Sequence, residues 1–172
     1  MPHAPHESLT AEQALALLAE TPPRIAAITD RLTPDQLLAI PGPDEWSAND
    51  TLAHLRSCAD VWGKCIRTLL DQNEPRLRAV SPRGWIKRTT YREQQFSESF
   101  RAFVAQRTDL LTVLTSLAPA AWARTAIVTG SGKPRTMTVL SYAERLALHE
   151  RHHLDQFARI ATALRESPRS EK

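Results

Sequence analysis

The sequence predicts an all-α fold, a four-helix bundle that forms a single domain. Glycine is scarce, at 5 of 172 residues, whereas alanine, leucine, arginine and glutamate, which favour helices, are plentiful. Four long segments repeat apolar residues every three or four positions, so each predicted helix has one apolar face. An antiparallel bundle buries four such faces together. A chain of this length forms one domain on size alone, and we expect residues 1–9 and 167–172 to be flexible tails.

The four long helices have recognisable boundaries. They run from about Ala11 to Arg31, from after Ser47 to about Asp71, from about Phe96 to Leu117, and from after Thr138 to about Arg165. Thr10 is a suitable N-cap for the first helix, and Pro22–Pro23 predicts a break or kink inside it. Ser47 and Asp50 resemble a capping box with aspartate in place of glutamate, which fixes the start of the second helix.

Three connections separate these helices. The first is rich in proline and holds a short turn near Pro34–Leu38. The second, Asn73–Arg92, is long, rich in arginine and interrupted by proline. The third, Ala123–Met137, predicts an irregular hairpin or loop around Gly130–Gly132.

Composition argues against several classes of protein. A formal net charge of +3 is too small to indicate nucleic-acid binding by itself. No apolar run approaches the roughly 20 residues of a membrane span, and the first residues lack the basic and apolar regions of a signal peptide. Cys58 and Cys65 lie two turns apart on one predicted helix, about 10 Å, which is too far for an unstrained disulfide. We therefore expect a protein of the reducing cytoplasm.

Two histidines on the fourth helix form the most informative motif. His149 and His153 are four residues apart, so their side chains project from the same apolar face and can reach one ion, whereas His152 points to solvent. The third ligand is His54, the remaining histidine inside a strongly helical segment. Three histidines with an open fourth position are typical of catalytic zinc sites. Zinc, nickel, copper and iron all accept imidazole, and buried core histidines without a metal are the alternative interpretation.

The residues around this motif each allow two interpretations. The stretch from His149 to His153 matches the H-E-x-x-H zinc protease motif, with Glu150 as general base. However, Arg159 stands where a third ligand would follow, and Gln156 replaces the expected glycine, so we disfavour a protease. Glu150 is otherwise a base, a residue that orients a ligand, or an ordinary surface carboxylate. Cys58, one turn after His54, is a fourth ligand, a reactive thiol or, as we favour, a small core residue.

Two segments resemble the DinB-like superfamily. Pro43-Asp44-Glu45-Trp46-Ser47 followed by Leu52-Ala53-His54-Leu55 is similar to its P-x-x-W-S…L-x-H-L signature, and His149 to Gln156 is similar to its H-x-x-x-H-x-x-Q ending. The resemblance implies a bundle with an up-up-down-down type of connection and a long connection between the second and third helices. It also places the metal triad of the family on His54, His149 and His153.

The resemblance to the DinB-like superfamily limits the activities that we expect of this protein. Similar proteins include bacillithiol S-transferases and mycothiol-dependent isomerases, in which a metal converts a cofactor thiol into a thiolate nucleophile. It therefore implies a divalent transition metal, zinc or nickel, and a low-molecular-weight thiol. The expected activity is metal-dependent thiol-S-transfer or hydrolysis on a small molecule, by a homodimer. The alternative is a non-enzymatic stress-response or binding module whose metal site is structural or vacant.

The second connection carries six basic residues almost without acid. The six residues are Arg76, Arg78, Arg83, Lys87, Arg88 and Arg92. The same segment also contains the aromatic residues Trp85 and Tyr91. One interpretation is a rim that holds carboxylates of the thiol or of an anionic substrate. A solvated loop is the interpretation we favour, and nucleic-acid binding is the least favoured of the three.

Overall fold

The computed structural model describes residues 8–166, and its four long helices form the predicted bundle. The elements are, in chain order, α1 (Ala11–Thr29), α2 (Pro34–Leu38), α3 (Ala48–Asp71), β1 (Arg76–Arg78), α4 (Pro82–Trp85), α5 (Phe96–Thr115), β2 (Thr125–Thr129), β3 (Arg135–Thr138) and α6 (Val139–Glu166). Short 3-10 turns lie at Ile86–Arg88, Tyr91–Glu93 and Pro119–Ala123. Of the predicted tails, residues 1–7 and 167–172 lie outside the described residues. Leu9 is anchored, because its backbone N–H donates to Glu144 on α6.

The four long helices form a ring in which α1 lies diagonally opposite α3, and α5 lies diagonally opposite α6. Helix α6 packs against α1 and α3, and α5 packs against the same two helices, so α1 lies across the bundle from α3. This is the arrangement expected of a bundle with up-up-down-down connections. The long connection between α3 and α5 is present as predicted.

Side-chain caps set the helix starts as the sequence predicts, with one difference. Thr10 and Gln13 form a full capping box at α1. At α3 the Ser47 hydroxyl accepts from the backbone N–H of Asp50 and donates to its carboxylate. The aspartate side chain is one methylene shorter than glutamate, so it bonds the hydroxyl instead of reaching back to the backbone of the cap. The register of α3 is fixed all the same.

Of the break or kink predicted at Pro22–Pro23, the break is wrong, because α1 runs through both prolines without interruption, and the kink stays a prediction. The helix packs along α5 and α6, and this packing holds it together despite two missing N–H donors. In the same turn the Thr21 hydroxyl donates to the carbonyl of Leu17.

A small sheet departs from a purely helical fold. The predicted hairpin is present as antiparallel β2 and β3, with a turn containing Gly130 and Gly132 at positive φ. Strand β1 pairs with β2 in parallel, so the order is β1-β2-β3. This third strand was not predicted, because its three residues carry no alternating pattern and its partner lies about 50 residues away. The buried Ala126 and Val128 attach the sheet to the bundle core.

The core consists of two apolar clusters with polar residues between them. One cluster is centred on Leu18, Trp62 and Leu146, and the other on Phe103 and Phe157. The polar side chains between them are His54 on α3, Arg107 on α5, and His149, Glu150 and His153 on α6. Within the described residues, no helix combines the length and the apolar character that a membrane crossing requires.

Candidate metal centre

The three predicted histidines meet in this polar layer. His54 lies two turns after the Ser47 cap on α3, and His149 and His153 lie one turn apart on α6. His54 and His153 are buried, at 4 and 7 % exposure, and His149 is half-buried. Helices α3 and α6 pack side by side. The four-residue spacing on α6 and the register that the Ser47 cap sets on α3 therefore bring the three imidazole rings together.

Their Nε2 atoms converge on one point. The His149 Nε2 lies 3.0 Å from the Nε2 of His54 and 3.1 Å from that of His153. All three donor atoms lie within 4.8 Å of one another. Tetrahedral bonds of about 2.0–2.1 Å to a zinc ion separate nitrogen ligands by roughly 3.3 Å. The nitrogens are therefore already near the spacing that a single ion requires.

Burial keeps these imidazoles neutral. Desolvation is the largest cause of the change in pKa of each of the three histidines. It lowers the pKa of His54 to about 4 and that of His149 to about 3, and it also lowers the pKa of His153. The charges of neighbouring histidines and arginines add to the effect. A proton on one Nε2 can satisfy only one of the two close contacts, whereas a cation satisfies all three lone pairs. The donor set fits a divalent transition metal.

Gln156 sets the tautomer of one ligand. Its Oε1 lies 2.7 Å from the His153 Nδ1, so Nδ1–H donates to the amide oxygen and the Nε2 lone pair is left free. Gln156, the last residue of the H-x-x-x-H-x-x-Q ending, therefore bonds directly to a histidine of the candidate site. Tryptophan rings contact the other two ligands at centroid distances of 5.2 Å, Trp46 against His54 and Trp62 against His149.

Cys58 lies beside the centre without joining it. Its Sγ is 3.5 Å from the Nε2 of His54, but it falls outside the group of donors that share a 4.8 Å neighbourhood. The residue is fully buried, and desolvation raises the pKa of its thiol, which keeps it protonated. The geometry supports the interpretation as a small core residue and places Cys58 outside the three-histidine donor group.

Glu150 points away from the histidines. It is 0 % exposed and forms an ion pair with Arg107 on α5, so its interpretation as a surface carboxylate is wrong. The reason is the helical period, which turns Glu150 by about 100° from His149 into the packed interface with α5 and α1. Its role as a catalytic base stays a prediction, and the ion pair favours a structural role.

Two clefts reach the centre, one lined by His153 and the other by His54. The first, here called the His153 cleft, has a volume of about 400 Å³ and is also lined by Gln156 and Arg159. The second, the His54 cleft, has a volume of about 330 Å³. Trp46 and Arg83 line both, with the Arg83 guanidinium 5.4 Å from the centroid of the Trp46 ring. Trp46 and Arg83 therefore form a wall that the two clefts have in common.

The basic connection divides between the site and the rest of the surface. Arg83, Lys87 and Arg92 line the His54 cleft, as the rim interpretation predicts. Trp85 and Tyr91 do not, because both donate hydrogen bonds to the Asp60 carboxylate on α3, at 3.0 and 2.7 Å. Gln106 on α5 also donates to Asp60. Asp60 thus holds the segment that carries the cleft cations against the bundle.

Sequence reasoning assigned no role at the site to two tryptophans that contact its histidines. Trp46 lines both clefts. Its place beside Ser47 in the family signature was the available signal. Trp62 contacts the His149 ring, and no local pattern distinguishes it from the other apolar residues of α3.

Comparisons with known proteins agree with this architecture. The structure of YfiT from Bacillus subtilis, described as a probable metal-dependent hydrolase with an unusual four-helix bundle topology, is similar, with a TM-score of 0.79. The match covers 96 % of this chain and 95 % of that one at 17 % sequence identity, which shows the shared fold. No curated protein matches the sequence. Residues 4–157 match the DinB superfamily. The chain is a member of the DinB superfamily.

Proposed function

We propose that the protein is a metal-dependent enzyme that activates a thiol for transfer to a small anionic molecule, with water as the alternative nucleophile. The observation that carries the proposal is the meeting of three neutral Nε2 atoms at the junction of two clefts. Zinc or nickel held by His54, His149 and His153 would lower the pKa of a coordinated thiol or water. Cys58 does not complete the ligand set, so the fourth position is available to that nucleophile.

The two clefts favour transfer over hydrolysis. A transferase must place two organic reactants beside the metal, whereas a hydrolase needs one organic reactant and water. The His153 cleft and the His54 cleft approach different ligands and share Trp46 and Arg83, which gives room for a reactant on each side. The description of YfiT as a probable metal-dependent hydrolase supports water as the alternative.

Cations around the His54 cleft support an anionic reactant. Arg83, Lys87 and Arg92 are all exposed side chains that line it. Arg92 also pairs with Asp50 at 3.3 Å, so Arg83 and Lys87 are the groups with free donors for a carboxylate or phosphate. Arg83 stands at the junction with the other cleft and is our choice for the residue that positions the reactant.

The test is a metal-loaded assay with two probe reactions. Cysteine and an aryl chloride bearing a carboxylate report thiol transfer through release of chloride, and a para-nitrophenyl ester reports hydrolysis. We expect His153→Ala to remove the activity and Arg83→Gln to raise KM about tenfold or more, the loss of one charge-assisted hydrogen bond. Arg88→Gln is the matched control, an exposed arginine of the same connection outside both clefts.

The outcomes separate the candidates. Hydrolysis without thiol transfer would favour the water alternative. A metal that raises Tm strongly while neither probe reacts would favour the non-enzymatic module with a structural metal. Equal rates for wild type and His153→Ala would contradict the proposal.

We also propose that the protein acts as a homodimer in the cytoplasm. Leu38 and Ile40, beside the His153 cleft residue Pro41, are 49 and 62 % exposed, and such apolar side chains are typical of a subunit contact. Light scattering after gel filtration measures the mass, and a monomer at all concentrations would contradict the dimer.

A further inference from the structure

We infer that a third cleft, beside Trp62, binds a small molecule that carries an oxyanion group on an apolar body. This cleft, here called the arginine cleft, lies between the small sheet and the bundle and has a volume of about 300 Å³. None of the three histidines lines it, so it is separate from the metal centre and goes beyond the proposed function. The Trp62 ring contacts His149, which makes the two sites neighbours.

Three arginines from three elements surround the arginine cleft. Arg135 on β3 and Arg145 on α6 line it directly. Arg78 on β1 lies against another lining residue, Gly130, where an added Cβ would stand 3.1 Å from its Cγ and 3.6 Å from its Nε. Among residues 8–166, no carboxylate lines the cleft and none forms an ion pair with any of the three arginines. Like charges beside one small cleft repel each other, and a bound anion relieves that repulsion.

The walls suit an apolar body. Trp62 and Val128 are nearly fully buried in the floor, and Val80, 49 % exposed, stands at the side. The Arg145 guanidinium lies 4.7 Å from the centroid of the Trp62 ring, and this stacking restricts it before any ligand binds. The hydroxyl of Ser131 supplies a further donor at the rim. A charged end held by arginine and an apolar end against Trp62 therefore define the ligand class.

The size of the cleft limits the ligand to a small molecule. About 300 Å³ is at the lower end of the range for small-molecule sites, and too little for a peptide or a nucleic-acid strand. Carboxylate and phosphate share the chemistry that paired guanidinium groups recognise. A phenyl ring bearing either group matches both ends of the cleft.

The test is calorimetric titration of metal-free protein with phenyl phosphate, benzoate and inorganic phosphate at fixed ionic strength. We expect phenyl phosphate to bind, and Arg135→Gln and Arg145→Gln each to weaken it about tenfold or more, through loss of a charge-assisted hydrogen bond. Phenyl phosphate should also bind about fivefold tighter than inorganic phosphate, because its ring removes apolar surface from water. Arg151→Gln, an exposed arginine of α6 outside the cleft, is the matched control and should bind as wild type does.

Comparison of phenyl phosphate with benzoate shows which oxyanion is preferred. Equal binding by wild type and both cleft variants would overturn the inference, as would an absence of binding at millimolar ligand. Weakening by His153→Ala instead would place the anion at the metal centre and would overturn it too. Since metal-free protein is used, this result is independent of whether the centre is catalytic.

Discussion

Loss of Arg107 alone should destabilise the protein far more than loss of the whole Arg107–Glu150 pair. The two side chains are 2 and 0 % exposed and bond each other between the two apolar clusters of the core. Arg107→Met leaves the Glu150 carboxylate buried without its cation, which costs about 3–5 kcal/mol of unfolding free energy. In a domain of 172 residues this corresponds to a fall in Tm of about 6–20 °C.

The double variant Arg107→Met/Glu150→Leu should recover most of that loss. Within the described residues, the Nε and Nη1 of Arg107 and the Oε2 of Glu150 are buried without hydrogen-bond partners. The desolvation of the pair is therefore only partly offset, and an apolar pair of similar volume should lie within about 2 kcal/mol of wild type or above it. A double-mutant cycle should then show strong coupling between the two positions.

Urea denaturation followed by circular dichroism measures these free energies, with Arg101→Met, an exposed arginine of the same helix, as the control. The reasoning is refuted if Arg107→Met stays within about 1 kcal/mol of wild type, or if the double variant is as unstable as the single one. The same double variant tests Glu150 as a catalytic base. If it folds and retains activity, Glu150 is structural.

Three further perturbations follow from the site. The pKa values of His54 and His149 in the folded protein, about 4 and 3, lie below the ordinary 6.5, so the unfolded chain binds more protons between these values. The Tm of the metal-free protein should therefore fall as the pH drops from about 6.5 toward 4. The variant His149→Phe should flatten this dependence of Tm on pH. Gln156→Leu should weaken zinc binding about 10–100-fold in a competition titration, because the His153 Nδ1–H loses its acceptor, whereas the exposed Asp155→Asn should not. Asp60→Ala removes the acceptor of three side-chain donors, so hydrogen exchange should rise in residues 82–92 while zinc affinity is retained.

The positions of the three histidines could be predicted because every step depends on local signals. The Ser47 cap fixes the register of α3 and therefore the direction of His54. The four-residue spacing of His149 and His153 fixes their common face on α6. The family signature contains the same residues, so the resemblance and the helical geometry agree.

Features that depend on distant contacts could not be predicted. Arg107 and Glu150 are 43 residues apart, and neither stands out as a buried charge within its own helix. Strand β1 pairs with β2 across a separation of about 50 residues, which no local pattern encodes. The division of the basic connection between the His54 cleft and the rest of the surface depends on where Asp60 holds the segment, and that requires knowing which helices are neighbours.

Elemental analysis of tag-free protein tests the metal centre most directly. Wild type is compared with His54→Ala and His149→Ala after reconstitution with zinc or nickel, and His152→Ala is the control, since that exposed histidine is outside the donor group. We predict about one equivalent of metal in wild type and in His152→Ala, and its loss in the other two variants. An absence of metal in wild type, or equal metal in all four proteins, would contradict the three-histidine site.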